Sequence, residues 1–205
     1  MAIVDADVAA QADWSPLDLA AAFLDGGARL LQVRAKHASS AALLDLATAV
    51  VALSRRCQAV VVVNDRADVA RLAAADGVHV GQDDLDASSV RTLLGPDAVV
   101  GLSTHTPAQL DDALQQPVTY VAVGPVFGTS TKATGYEAIG LDAVREAARQ
   151  SRARRRPLVA IGGITIDSAP DVLAAGADCV AVIGDLLRTG DPTGRVRAYL
   201  DRLTL

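Results

Sequence analysis

The segment VVVNDR, residues 61 to 66, runs three valines straight into Asn64, Asp65 and Arg66. An apolar run of this length reads as a buried strand, so the polar triplet emerges where that strand ends. Asn64 is the only asparagine in the chain. Asn and Asp favour turns, and Asp65 could do no more than cap the next helix. The other reading is a carboxylate held rigidly as an oxygen ligand. Comparable groups close other apolar runs. Gln32, Arg34 and Lys36 alternate along QVRAK and so share one side of an extended chain. GVHVGQDDL supplies His79, Gln82, Asp83 and Asp84, and GLSTH supplies Ser103 and His105. The connection FGTSTKATGYEAIG is the longest and is rich in Thr and Gly. AIGG ends in Gly162 and Gly163, and AVIG ends in Gly184.

These residue types suit phosphate chemistry. Glycine lets backbone N–H groups approach an anion closely. Arg34, Lys36 and Lys132 form a second cationic group. The chain holds only two lysines, and both lie in these strand-end segments, while positive charge elsewhere is arginine. Asp65 and one of Asp83 and Asp84 leave neighbouring strands. Two converging carboxylates suit Mg²⁺, which keeps several waters and borrows phosphate oxygens. The pattern therefore describes a monophosphate at one end of a site and a metal-bound diphosphate at the other. His79, inside its strand, reads as a packed histidine rather than a base. His105 fits an acid/base role and a helix-start role equally well. His37 reads as surface.

Eight short β-branched runs carry these groups: AIVDA, LLQVRA, AVVVVND, GVHVGQ, AVVGLST, YVAVGP, PLVAIGG and CVAVIG. Their near-continuous apolarity suits parallel strands covered on both faces. Between them lie Ala/Leu-rich stretches with helix signals. Ser15-Pro16, Ser39 or Ser40, Ser88 or Ser89, and Thr106-Pro107 are expected starts. Gly26-Gly27, Gly95-Pro96 and Gly176 are expected stops. Eight strand-helix units, the last helix spanning 192 to 203, predict a (β/α)₈ barrel occupying residues 1–205 as one domain. At 205 residues the chain is close to the floor of about 200 for that fold, leaving little room for insertions.

Composition narrows the classes. Residues are 51% hydrophobic and only 3% aromatic, so the core must be Val, Leu, Ile and Ala. A net charge of -5 argues against a nucleic-acid partner. The basic run Arg152, Arg154, Arg155 and Arg156 reads as a solvated helix end. Cys57 and Cys179 make neither a disulfide framework nor a metal-ligand spacing. No signal peptide or membrane span is legible, so a cytoplasmic enzyme is the expectation. The sequence leaves a homo-oligomer open.

The ordered set QVRAK, NDRAD, DGVHVGQDDL, GLSTH, GPVFGTSTK, AIGGIT and GADCVAVIG resembles the thiamine-phosphate synthase family over almost the whole chain. The resemblance implies a transferase on a (β/α)₈ barrel. It joins 4-amino-5-hydroxymethyl-2-methylpyrimidine diphosphate to a thiazole ethyl phosphate, commonly the carboxylated form. Pyrophosphate leaves, with CO₂ from the carboxylated form, and thiamine phosphate results. By the same resemblance Gln32, Val33, Arg34, Ala35, Lys36 and Asn64 hold the pyrimidine diphosphate. Asp65 and Asp84 bind Mg²⁺, and Ser103 touches the pyrimidine. Lys132 contacts the diphosphate, and Lys132, Arg34 and Ser103 form the catalytic set. Thr129, Ser130 and Thr131 contact the thiazole substrate, whose phosphate lies on Gly163, Ile183 and Gly184. The family commonly has serine where this chain has Gly184, and the lead into the first strand is short. Two other readings are a thiazole tautomerase of the same superfamily and a non-catalytic phosphometabolite-binding barrel. Neither accounts for the paired Asp65 and Asp84 or for Lys132.

Overall fold

A computed structural model describes residues 1–128 and 135–203. Eight parallel strands form one sheet in sequence order. They are β1 (Ala2–Asp5), β2 (Leu30–Arg34), β3 (Val60–Asn64), β4 (Gly77–Val80), β5 (Val99–Thr104), β6 (Tyr120–Val123), β7 (Leu158–Ile161) and β8 (Cys179–Ala181). Ala2 bridges Val182 in parallel. Ile3 N–H donates to the Val182 carbonyl and Val182 N–H to the Met1 carbonyl, each at 3.1 Å. These bonds close the sheet on itself into the expected (β/α)₈ barrel.

The helices are α1 (Ala6–Gln11), α2 (Pro16–Asp25), α3 (Ser40–Ser54), α4 (Ala67–Leu72), α5 (Ala87–Leu94), α6 (Pro107–Gln115), α7 (Gly140–Ala153), α8 (Ala169–Ala174) and α9 (Pro192–Leu203). Ser15, Ser39 and Thr106 cap α2, α3 and α6 by accepting from backbone N–H groups three residues on, as their sequences predict. The start of α5 differs. Asp86, not Ser88 or Ser89, is the cap, and its carboxylate accepts from the N–H groups of both serines at 2.9 Å. A carboxylate adds favourable charge at the helix N-terminus, which a hydroxyl cannot. Helix α1 carries no periodic signal because it is only six residues long. It forms because buried Asp5 ends β1 and accepts from the N–H groups of Asp7 and Val8.

The arginine run closes α7 as expected, with Arg152 in its last turn and Arg154 at its C-cap. One anchoring device occurs twice. Asp76 accepts the N–H of Val61, and Asp178 accepts that of Leu158, both at 2.7 Å. Each carboxylate precedes one strand and ties it to the start of its neighbour.

The apolar core has two layers. Most of it lies between strands and helices, as the fold demands. A smaller cluster fills the barrel: Ile3, Tyr120, Ala122, Val159, Ala181 and Ile183. Tyr120 fits because β5 has glycine opposite it. A Cβ on Gly101 would lie 2.1 Å from the Tyr120 ring and 2.5 Å from His79 Nδ1. Among the described residues no helix is long and apolar enough to cross a membrane.

Candidate active site at the strand ends

The polar ends of the strands meet around two adjoining cavities. One, of about 830 Å³, is walled by Arg34, Lys36, Asn64, Asp65 and Asp84. The other, of about 540 Å³, is walled by Gly124, Gly162, Gly163, Ile183 and Gly184. Ser103, His105 and Gly184 belong to both. The sequence-predicted residues thus divide by chemistry, charged on one side and glycine-rich on the other.

The triplet after β3 has a definite geometry. Arg66 N–H donates to the Asn64 carbonyl at 2.8 Å, closing a three-residue turn around Asp65. Asp65 takes φ +63°, a conformation that costs a non-glycine residue and tends to persist at functional sites. Its own N–H donates to the His79 carbonyl at 2.8 Å, pinning the turn to β4. Asp65 caps nothing: the residue at the α4 cap is Arg66, with no side-chain cap bond. Instead Asp65 pairs with Lys36 at 3.3 Å. Arg66 supports the loop through Asp68 and Ser40.

Asp84 turns back over its loop, and Gly81 N–H donates to its carboxylate at 2.7 Å. Partial burial holds the Asp84 pKa above the ordinary carboxylate value, and the facing charge of Asp65 adds to this, while the Gly81 bond opposes it. Two carboxylates brought into mutual repulsion are a fit for a divalent cation. Among the described residues no cluster of three or more His, Cys, Asp or Glu could hold a metal. A two-carboxylate site suits Mg²⁺, which completes its shell with water and phosphate oxygens.

Buried Asp5 also organises the cationic wall. One carboxylate oxygen caps α1 while the other pairs with Arg34. Arg34 Nε remains buried with no partner among the described residues. Gln32 lines neither cavity; it is 2% exposed inside the barrel, and its Oε1 accepts nothing among the described residues. An orphaned buried acceptor is costly and fits a site completed by a ligand. The side chains of Val33 and Ala35 pack into the strand–helix core, so only their backbone could reach a ligand. Thr129, Ser130, Thr131 and Lys132 lie outside the described residues.

The glycine cavity is tightly built. Gly163 has φ +64°, and a Cβ there would stand 2.6 Å from the Gly128 carbonyl. Its rim is braced by Asp185, which sequence reading passed over. One carboxylate oxygen of Asp185 receives Tyr199 Oη at 2.6 Å, Arg195 Nη2 at 2.7 Å and Ile166 N–H at 3.2 Å. The loops after β7 and β8 are thereby locked to α9. Burial first, and then the Asp185 bond, push the Tyr199 phenol pKa up, so it stays a donor. A short, polar Asp beside Gly184 gave no periodic signal of this role.

The histidines resolve differently. His79 is buried and bridges Tyr120 and Ser103. His105 Nδ1 donates to the Gly124 carbonyl at 2.6 Å, and its ring stacks on Tyr136 with centroids 4.1 Å apart. Thr106, not His105, caps α6. His37 is on the surface, as expected.

The sequence profile of a family described as thiamine monophosphate synthase matches residues 1–186. The chain belongs to this family. Thiamine-phosphate synthase of Roseiflexus castenholzii is 41% identical over 195 residues, covering 95% of this chain and 84% of the relative. Thiamine-phosphate synthase of a Synechococcus species is 45% identical over 183 residues, covering 89% of this chain. The match spans about half, 51%, of that longer relative. Among solved structures, thiamine phosphate pyrophosphorylase from Pyrococcus furiosus superposes with a TM-score of 0.87 at 27% identity. That match covers 99% of this chain and 96% of the other. Family membership carries the enzyme class, a transferase of thiamine biosynthesis, and it agrees with the order in which this barrel presents its polar strand ends.

Proposed function

We propose that the chain condenses 4-amino-5-hydroxymethyl-2-methylpyrimidine diphosphate with a thiazole ethyl phosphate, or its carboxylated form, to give thiamine phosphate. Pyrophosphate leaves, together with CO₂ when the carboxylated form is used. The observation that carries this reading is the pair of adjoining cavities meeting at Ser103 and Gly184. One is built for a metal-bound diphosphate and the other for a monophosphate. A tautomerase acting on the thiazole phosphate alone has no use for the first cavity.

The residues divide the work. Backbone N–H groups at Gly163, Ile183 and Gly184 hold the thiazole phosphate, since glycine admits an anion to the backbone. Ser103 Oγ holds the aminopyrimidine ring where the two cavities meet. Asn64, Lys36 and Arg34, the last steadied by Asp5, hold the diphosphate. Lys132, which follows β6 in the sequence, is assigned to the same group by the family resemblance. Asp65 and Asp84 would hold Mg²⁺, which when bound would supply charge neutralisation to the leaving diphosphate. Arg34, Lys36 and Lys132 offset the same charge as the C–O bond breaks, so their attraction is greatest in the transition state. The methylene left behind is carbocation-like, and the thiazole nitrogen held across the junction attacks it. No side-chain nucleophile is needed. The reaction belongs to a cytoplasmic enzyme whose partners are its two small-molecule substrates. Incubation with both substrates and Mg²⁺ should yield thiamine phosphate and pyrophosphate in equal amounts; consumption of thiazole phosphate alone sinks the reading in favour of an isomerase.

A further inference from the structure

Where the two cavities join, three polar groups form a chain reaching down into the barrel. Tyr120 opens β6 with its side chain inside the barrel and is 5% exposed. Its hydroxyl is 2.8 Å from His79 Nδ1. His79 Nε2 is in turn 2.7 Å from Ser103 Oγ. The space for this chain is reserved by Gly101, where any Cβ would strike both rings.

The direction of the hydrogen bonds follows from proton counting. Burial pushes the Tyr120 phenol pKa up, so the hydroxyl keeps its proton. That proton needs an acceptor, since a buried donor left unpaired is costly. Among the described residues the Tyr120 hydroxyl has no hydrogen-bond partner but His79. Tyr120 therefore donates, and His79 Nδ1 carries no hydrogen. A neutral imidazole then bears its proton on Nε2 and donates to Ser103 Oγ. With that acceptance made, the Ser103 hydroxyl has its own proton to give. No acceptor for it exists among the described residues, and Ser103 faces both cavities.

We propose that Tyr120 is a positioning residue for the reaction: acting through His79, it fixes the Ser103 hydroxyl as a hydrogen-bond donor to a ring nitrogen of the pyrimidine substrate. The reverse polarity would have Nδ1–H donating to Tyr120 and Ser103 donating to Nε2. Ser103 would then offer the substrate only an acceptor, suited to an amino group. Polarity set by a buried phenol thus decides which edge of the ring Ser103 can read. This assignment rests on the pyrimidine-binding role proposed above for Ser103; the tautomer itself does not.

Two measurements decide it. The chain has three histidines, so the His79 ring signals are identified by their loss in His79→Gln. Multiple-bond ¹H–¹⁵N correlation spectra of the ligand-free wild type should then show His79 as the neutral Nε2–H tautomer. An Nδ1–H or doubly protonated ring at neutral pH overturns the proposal, whatever the enzyme does. Kinetically, Tyr120→Phe should raise KM for the pyrimidine diphosphate by about three- to tenfold, the range of a neutral hydrogen bond. KM for the thiazole phosphate should stay unchanged. In a Ser103→Ala background the same Tyr120→Phe change should have no further effect, because the group it orients is gone. An equal loss in both backgrounds means that Tyr120 acts only on packing, and overturns the proposal. Failure of the wild type to join the two substrates would sink the functional reading instead, leaving the tautomer result standing.

Discussion

Asp84 illustrates how a single side chain trades stability for chemistry. Its pKa is raised in the folded protein, chiefly by partial burial and then by Asp65. The folded state therefore binds a proton there more readily than the unfolded chain does. That contribution to stability is present below the unfolded carboxylate pKa and is lost as pH rises through the raised folded value. Asp84→Asn removes the repulsion while its amide oxygen still accepts from Gly81. Thermal unfolding should show the variant melting above wild type at pH 7, with the gain gone below about pH 4. The same change should nearly abolish turnover, as should Asp65→Asn, because a neutral amide is a poor ligand for a hard cation. Asp83→Asn should cost much less, and a larger loss there than at Asp84 would mean the ligand has been misassigned. Gly163 and Gly184 make a second residue-scale contrast. Gly163→Val places a branched Cβ against the Gly128 carbonyl at φ +64° and should raise KM for the thiazole phosphate steeply. Gly184→Ser adds a hydroxyl that water can replace at little cost, so KM should change by less than about fivefold. A tenfold tighter KM in Gly184→Ser would show that backbone N–H groups alone do not carry the phosphate.

At the scale of elements, the eight strands were legible because their apolar runs are nearly continuous and closed by glycine or polar residues. The caps at Ser15 and Thr106 were legible because a hydroxyl before Pro is a strong local signal, and that of α3 was narrowed to Ser39 or Ser40. What escaped was local structure governed by contacts between segments. Asp86 caps α5 in place of the neighbouring serines, and α1 is capped by Asp5, whose other oxygen pairs with Arg34. The charged wall and the Gly-Gly turns could be read from residue types. The Tyr120–His79–Ser103 chain could not, since its partners lie 41 and 24 residues apart and meet only across the closed barrel. The cap gives a clean test. Asp86→Ala should measurably destabilise the protein in urea unfolding, since it removes the α5 cap. Ser88→Ala and Ser89→Ala should each stay within about 0.5 kcal/mol, as for ordinary surface changes.

For the molecule as a whole, the barrel turns eight separate strand ends into one surface with two compartments. Charge is concentrated on the β2–β4 side, glycine backbone on the β7–β8 side, and Ser103 from β5 lies between. Each side is braced by a carboxylate in its own wall. Asp5 steadies the cationic wall, and Asp185 steadies the phosphate loops. Mg²⁺ should raise the melting temperature of the wild type by mass action on the folded state, and should do so far less for Asp84→Asn. The most direct test of the account is the two-substrate reaction itself, followed by separation of products. With pyrimidine diphosphate, thiazole phosphate and Mg²⁺ all present, thiamine phosphate and pyrophosphate should appear in a one-to-one ratio, and omission of either substrate should abolish both. Turnover of the thiazole phosphate alone, or release of pyrophosphate without thiamine phosphate, would contradict it.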